Sequence, residues 1–222
     1  MKLFRKRDLI TTAMFLIFGI IAVSIFYSIL KPKPSLPIYQ PAEVNAKLVD
    51  TSIVHKIKYH TISDFNLINQ NGDTITQDFY NDKIYVADFF FTTCPGICID
   101  MTRNMLKIQK KTLDNPNIML LSFSVTPKID SVAQLKKYAL EKGIKDSKWN
   151  LLTGDKKQIY RLARESYFVV KEGQGINSMI HTENFVLIDP DKRIRGFYDG
   201  TNDEEIVELM DDIITLEKEY FP

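Results

Sequence analysis

The chain has 222 residues, 45% hydrophobic, 26% charged and 11% aromatic, an ordinary globular composition that excludes disorder and collagen-like or low-complexity structure. Lysine and arginine total 29 against 28 aspartates and glutamates, so the charge balance gives no sign of a nucleic-acid partner. Two cysteines exclude a multi-disulfide framework, and the length suits one domain with an appendage.

Charge is unevenly placed. Lys2, Arg5, Lys6 and Arg7 face only Asp8 in the basic flank 1–8. Residues 9–30, Leu9 to Leu30, then carry no charge at all. As a helix those residues rise about 33 Å, enough for a hydrocarbon core of about 30 Å. A cleaved signal peptide is the alternative, but its apolar region is shorter and ends in small residues. Here Tyr27, Ile29 and Leu30 close the run and no A-x-A pattern follows. A single-pass anchor is therefore expected, with the N-terminus cytoplasmic and the rest on the periplasmic or intermembrane-space-like side. Residues 31–52 follow as a linker, with Pro32, Pro34, Pro37 and Pro41 favouring an extended spacer. The globular domain is expected over 53–222, long enough for a real core.

Within that domain strands and helices alternate. Asp64–Tyr80 reads as a hairpin around Asn71-Gly72. Lys83–Thr92 is nearly continuous apolar and suits a central strand. Ile97, Met101, Met105 and Ile108 have helical spacing over Ile97–Leu113. Asn117–Val125 is a second buried strand, Ser131–Lys142 a helix closed by Gly143, Trp149–Leu152 a short strand and Asp155–Glu165 a helix. Asn184–Ile188 and Ile194–Tyr198 flank D-P-D-K-R as a second hairpin, and Asp203–Glu219 is an amphipathic helix. The expected class is α/β, a mixed sheet covered by helices on both faces.

Chemistry concentrates at F-F-F-T-T-C-P-G-I-C-I-D-M, residues 89–101. The spacing predicts a strand, a turn, and a helix with Pro95 at its first position. Cys94 and Cys98, at i and i+4, would then share one face of the first turn, where the helix dipole favours thiolate at both sulfurs. Two soft thiolates on one face make half of a soft-metal site. A structural disulfide is the alternative, with helical α-carbons about 6 Å apart and little stability gained from so short a loop. His181 precedes the strand 183–189, in a loop of the kind that gathers at the β–α turn edge, although a lone loop histidine is also an ordinary solvated residue. His55 and His60 carry no functional signal.

Three blocks in order, T-T-C-P-G-I-C-I-D-M, W-N-L-L-T-G-D at 149–155 and H-T-E-N-F-V-L-I-D-P-D at 181–191, resemble the SCO/SenC family behind a single anchor. The resemblance implies a membrane-anchored, thioredoxin-like copper protein of cytochrome c oxidase assembly, with Cys94, Cys98 and His181 as copper ligands. It implies as partners the copper-bearing oxidase subunit and an upstream copper donor. Two features depart from the family pattern: Ile99 replaces the usual proline, and S-V-T-P-K-I-D-S-V replaces an S-V-D-P run followed by Asp-Thr-Pro.

Two thiolates and an imidazole suit copper, with Met101 and Met179 as candidates for a fourth donor against core packing and a loop. Zinc could use the same three ligands, but no carboxylate or second histidine is placed as a base. The expected function is copper delivery to the dinuclear site of the oxidase, or preparation of its thiols, rather than enzymatic turnover. A thiol–disulfide oxidoreductase is the second reading, in which Asp88, six residues before Cys94, would have a raised pKa and accept the proton. C-x-x-x-C spacing and the missing proline in H-T-E-N-F count against general redox work, and a peroxidase has little beyond the fold behind it.

Overall fold

The computed structural model describes residues 6–30, 35–41, 60–169 and 182–222. Contacts divide the chain into two units, Met1–Pro34 and Ser35–Pro222. The first is the helix α1, Lys6–Leu30, where the membrane span was expected. Its described side chains run over residues 11–27 and are exposed. Among the described residues no helix is long and apolar enough to cross a membrane.

The second unit holds a seven-stranded sheet. β1 (Asn66–Asn69) and β2 (Thr74–Thr76) form the expected hairpin, followed by a 3-10 turn at Gln77–Tyr80. β3 (Ile84–Phe90), α2 (Ile97–Thr112), β4 (Ile118–Ser124), α3 (Val132–Lys142), β5 (Trp149–Thr153) and α4 (Lys156–Arg161) then alternate. β6 (Asn184–Ile188), β7 (Ile194–Asp199) and α5 (Asp203–Tyr220) complete the order. The sheet runs β2-β1-β5-β4-β3-β6-β7, with β3, β4 and β5 parallel and the outer pairs antiparallel.

Every residue of β3, β4 and β5 is buried, which accounts for their mostly apolar runs and leaves Asp88, Ser122 and Asn150 as buried polar groups within them. Alternation sends Phe89 to one face, against Tyr167, and Phe90 to the other, against Tyr138 of α3. Helix ends follow their sequence signals. Ser131 accepts from Gln134 N–H to start α3, and Gly143 closes it at φ 76°, a left-handed position that suits glycine. Asp155 caps α4 through the N–H groups of Lys157 and Gln158. The expected helix 155–165 keeps α geometry only to Arg161 and widens into a π turn over Leu162–Ser166. There Tyr167 N–H donates to Leu162 O, seating Tyr167 and Phe168 fully in the core.

Residues 35–41, read from sequence as spacer, are hydrogen-bonded along β7. Arg195, 1% exposed at its side chain, donates from Nη2 to Leu36 O at 2.8 Å and from Nε to Pro37 O at 3.1 Å. Tyr39 N–H donates to Ile194 O, and its ring meets Phe197 edge-on. An extended proline-containing backbone leaves its carbonyls unpaired, and here a guanidinium takes two of them. The same guanidinium bonds Asp189 and Glu219, so its burial is matched by opposite charge.

Candidate metal centre

The parallel strands β3 and β4 end together, with Val125 N–H donating to Phe90 O at 2.9 Å. Beyond β3 the chain turns at Phe91–Cys94, closed by Cys94 N–H on Phe91 O at 3.3 Å. Gly96 is the N-cap of α2, so the helix starts at Ile97. Pro95 therefore precedes the helix instead of opening it, and Cys94 belongs to the turn while Cys98 belongs to the first helical turn. Both cysteines are free thiols. Cys94 is half-buried and Cys98 is 5% exposed.

The two thiols are not electrostatically alike. Burial raises Cys94, yet the neighbouring Cys98 thiol and the Gly96 and Cys98 backbone N–H groups outweigh this and hold it below the ordinary thiol value. Burial pushes Cys98 up to about 12, helped by the neighbouring Cys94 thiol and by the charges of Cys94 and Asp88, against the Phe91 backbone amide. The expectation of two easily ionised sulfurs is thus corrected to one. Helix N-terminal N–H groups serve the sulfur that lies outside the helix, and burial overrides the dipole at the other.

Asp88 lies in β3, 3% exposed, directly opposite Ser122 in the parallel register. Ser122 Oγ donates to Asp88 Oδ1, and Trp149 Nε1 donates to Ser122 Oγ at 2.8 Å. Burial pushes the carboxyl up to about 7 against the opposing bonds from Ser122 and the backbone. Met101 is core-buried in α2. His60 bonds Ser166 O through Nε2 at 2.9 Å and packs on Phe168, a structural setting. His181, His55 and Met179 lie outside the described residues.

The described chain resumes at Thr182, which accepts from Asn184 N–H at 3.2 Å. β6 is antiparallel to β3, with Ala87 opposite Val186, so its start lies at the end of β3 that leads into the cysteine turn. α2 is tied to the same place: Asn104 Nδ2 donates to Gly200 O at 2.8 Å, and Gly200 N–H to Glu183 O at 2.6 Å. A Cβ on Gly200 would stand 2.7 Å from the Phe185 ring, so only glycine lets these backbones approach.

A further residue organises the turn. Asp130, fully buried in the loop after β4, accepts from Thr92 N–H at 3.2 Å and Thr92 Oγ1 at 2.5 Å. It also accepts from Ser124 Oγ at 2.6 Å and Thr126 Oγ1 at 3.1 Å. Nothing in the sequence sets Asp130 apart from a surface loop aspartate. Its only signal is its place between a buried strand and the helix-capping Ser131. Nothing in the sequence points Ser122 or Trp149 toward Asp88, since only the strand register brings them there.

Among the described residues no three histidine, cysteine or acidic side chains converge as a metal-ligand set. Cys94 and Cys98 supply two donors, and adjacent sulfurs fit a soft ion such as Cu(I) better than a hard one.

The SCO1/SenC family profile matches residues 55–215. The chain belongs to the SCO1/SenC family. It is similar to the SCO1 protein homolog of Bacillus subtilis, 31% identical over 157 residues covering 69% of this chain and 81% of that one. It is also similar to the solved structure of BsSco, a member of the Sco family of cytochrome c oxidase assembly proteins with an identified disulfide switch. That match has 31% identity and a TM-score of 0.61, covering 71% of this chain and 93% of that one. The copper-bound structure of Arabidopsis thaliana ScoI matches at 27% identity and TM-score 0.58, over 71% of this chain and 98% of that one. The family's thioredoxin-like sheet flanked by helices is the fold of this chain, the α/β class that the alternation of strands and helices anticipated and the thioredoxin-like form that the resemblance implied.

Proposed function

We propose that this protein is a membrane-anchored copper metallochaperone that delivers copper to the dinuclear copper site of cytochrome c oxidase, or prepares its thiols. The observation that carries the reading is the Cys94–Cys98 pair, two free thiols at a strand-to-helix turn, one half-exposed and ready to exchange ligands. Family membership and the copper-bound relative support it. His181 is the proposed third ligand. Cys94 and Cys98 give the sulfur donors that Cu(I) prefers, and imidazole adds affinity for Cu(II). The uncharged run 9–30 behind a basic flank supports anchoring, with the domain on the periplasmic or intermembrane-space-like side. The copper-bearing oxidase subunit and an upstream copper donor are the proposed partners.

Thiol–disulfide exchange is the second reading, favoured by the buried Asp88 whose carboxyl is raised to about 7. There Asp88 accepts the proton leaving the dithiol, and Asp88→Asn slows exchange near neutral pH while copper capacity stays intact.

His181→Ala separates the two readings. A copper site needs three donors, whereas dithiol exchange needs only the sulfurs. The variant should lose copper by at least about tenfold in affinity, Cu(II) most, while still forming and breaking the Cys94–Cys98 bond. Copper content is measured after purification under reducing conditions, beside oxidase activity in cells. Wild-type copper retention in the variant refutes the three-ligand site. Lost copper with a fully assembled oxidase refutes delivery as the main function.

A further inference from the structure

We propose that Asp130 is the positioning residue of the dithiol: by clasping Thr92 it sets where Cys94 stands relative to Cys98, and so sets the dithiol–disulfide equilibrium. The inference rests on the reading that the two cysteines act as a pair, and it adds a residue that touches neither sulfur.

Cys98 needs no help to hold its place. It rides on the first turn of α2, whose buried face carries Met101, Met105 and Ile108 into the core. Cys94 instead stands in a turn before the helix N-cap, its N–H bonded back to Phe91 O just past β3. The corner of that turn is Thr92. Both its N–H and its Oγ1 donate to Asp130, and Gln134 Nε2 of α3 donates to Thr92 Oγ1 at 3.1 Å. Asp130 also takes Ser124 Oγ, at the end of β4, and Thr126 Oγ1. One carboxylate thereby ties the end of β3, the end of β4 and the approach to α3 into one knot.

The choice of a carboxylate is informative. Its two oxygens offer about four lone-pair sites, whereas an amide oxygen offers about two. Oδ2 accepts from Thr92 N–H, Ser124 Oγ and Thr126 Oγ1, and Oδ1 accepts from Thr92 Oγ1. Among the described residues no cation pairs with Asp130. Burying a charge this way is costly unless its donors are held in place, so the donors and the turn they belong to are rigid together. A rigid turn keeps the two sulfurs at high effective concentration, which favours the bond between them.

The test uses the full chain, metal-free in detergent micelles, equilibrated with glutathione. The Cys94 and Cys98 thiols together lose two electrons and two protons to glutathione disulfide. The protein S–S bond forms, and two molecules of glutathione leave. Acid trapping and mass spectrometry count the oxidised fraction. Asp130→Ala should lower the equilibrium constant for disulfide formation about tenfold, or ~30 mV. Thr92→Val should shift it the same way by roughly threefold, and the double variant should match Asp130→Ala because the two residues act through one contact. Asp130→Asn, which keeps one acceptor oxygen for Thr92, should return the constant to within about threefold of wild type. Urea unfolding in the same micelles checks that each variant is folded. A folded Asp130→Ala with a constant within about twofold of wild type overturns the proposal. If Asp130→Ala does not fold, an unchanged constant in Thr92→Val overturns it instead. A wild-type chain that forms no Cys94–Cys98 bond overturns the pair reading and this proposal with it. A wild-type chain that forms the bond, with the variants unmoved, overturns this proposal alone.

Discussion

Asp88→Asn offers a direct measure of what the buried carboxyl costs the fold. Burial raises Asp88 from the ordinary 3.8 to about 7, with Ser122 and the backbone opposing. A folded-state pKa above the unfolded value means that the folded protein holds its proton longer than the unfolded chain does. Stability from this group is then fully present below about pH 4 and is lost as pH rises through about 7. A shift of about three units at 1.36 kcal/mol each gives a loss on the order of 4 kcal/mol across that window. Asparagine keeps an oxygen to accept from Ser122 and carries no charge, so the variant lacks this slope. Urea unfolding of the reduced 35–222 unit at about pH 4.5, 5.5, 6.5 and 7.5 measures it for both proteins. The variant should match wild type at the acid end and exceed it increasingly toward neutrality, by about 4 kcal/mol at most. Parallel profiles, with a constant difference at every pH, would refute a buried, raised Asp88.

Alkylation should distinguish the sulfurs. Iodoacetamide at neutral pH should modify half-exposed Cys94 at least about tenfold faster than buried Cys98, read by peptide mass spectrometry, and equal rates would contradict the asymmetry. Arg195→Met leaves Asp189 buried without that partner and frees the Leu36 and Pro37 carbonyls. Because Arg193 still pairs with Asp189, the substitution should cost on the order of 1–3 kcal/mol in urea unfolding and expose residues 35–41 to limited proteolysis, and a wild-type cleavage pattern would contradict that docking.

Much of the fold is legible in the sequence because local rules and the tertiary structure agree. The mostly apolar runs of β3 and β4, the Asn71-Gly72 hairpin, the Ser131 and Gly143 ends of α3 and the helical spacing over Ile97–Ile108 each state their element through periodicity or backbone preference. The pairing of Cys94 with Cys98 is likewise local, only four residues apart. Local pattern therefore fixes the order and kind of the elements and the place of the two thiols. How those thiols differ is set by packing, because burial of Cys98 and the amides offered to Cys94 depend on where α2 begins. Asp88 acquires Ser122 and Trp149 through strand register, and Thr92 acquires Asp130, 38 residues away, through the shared end of two parallel strands. A hydrogen bond between distant residues leaves no periodic trace along the chain. Its partners are chosen by packing, and packing exists only once the sheet has formed.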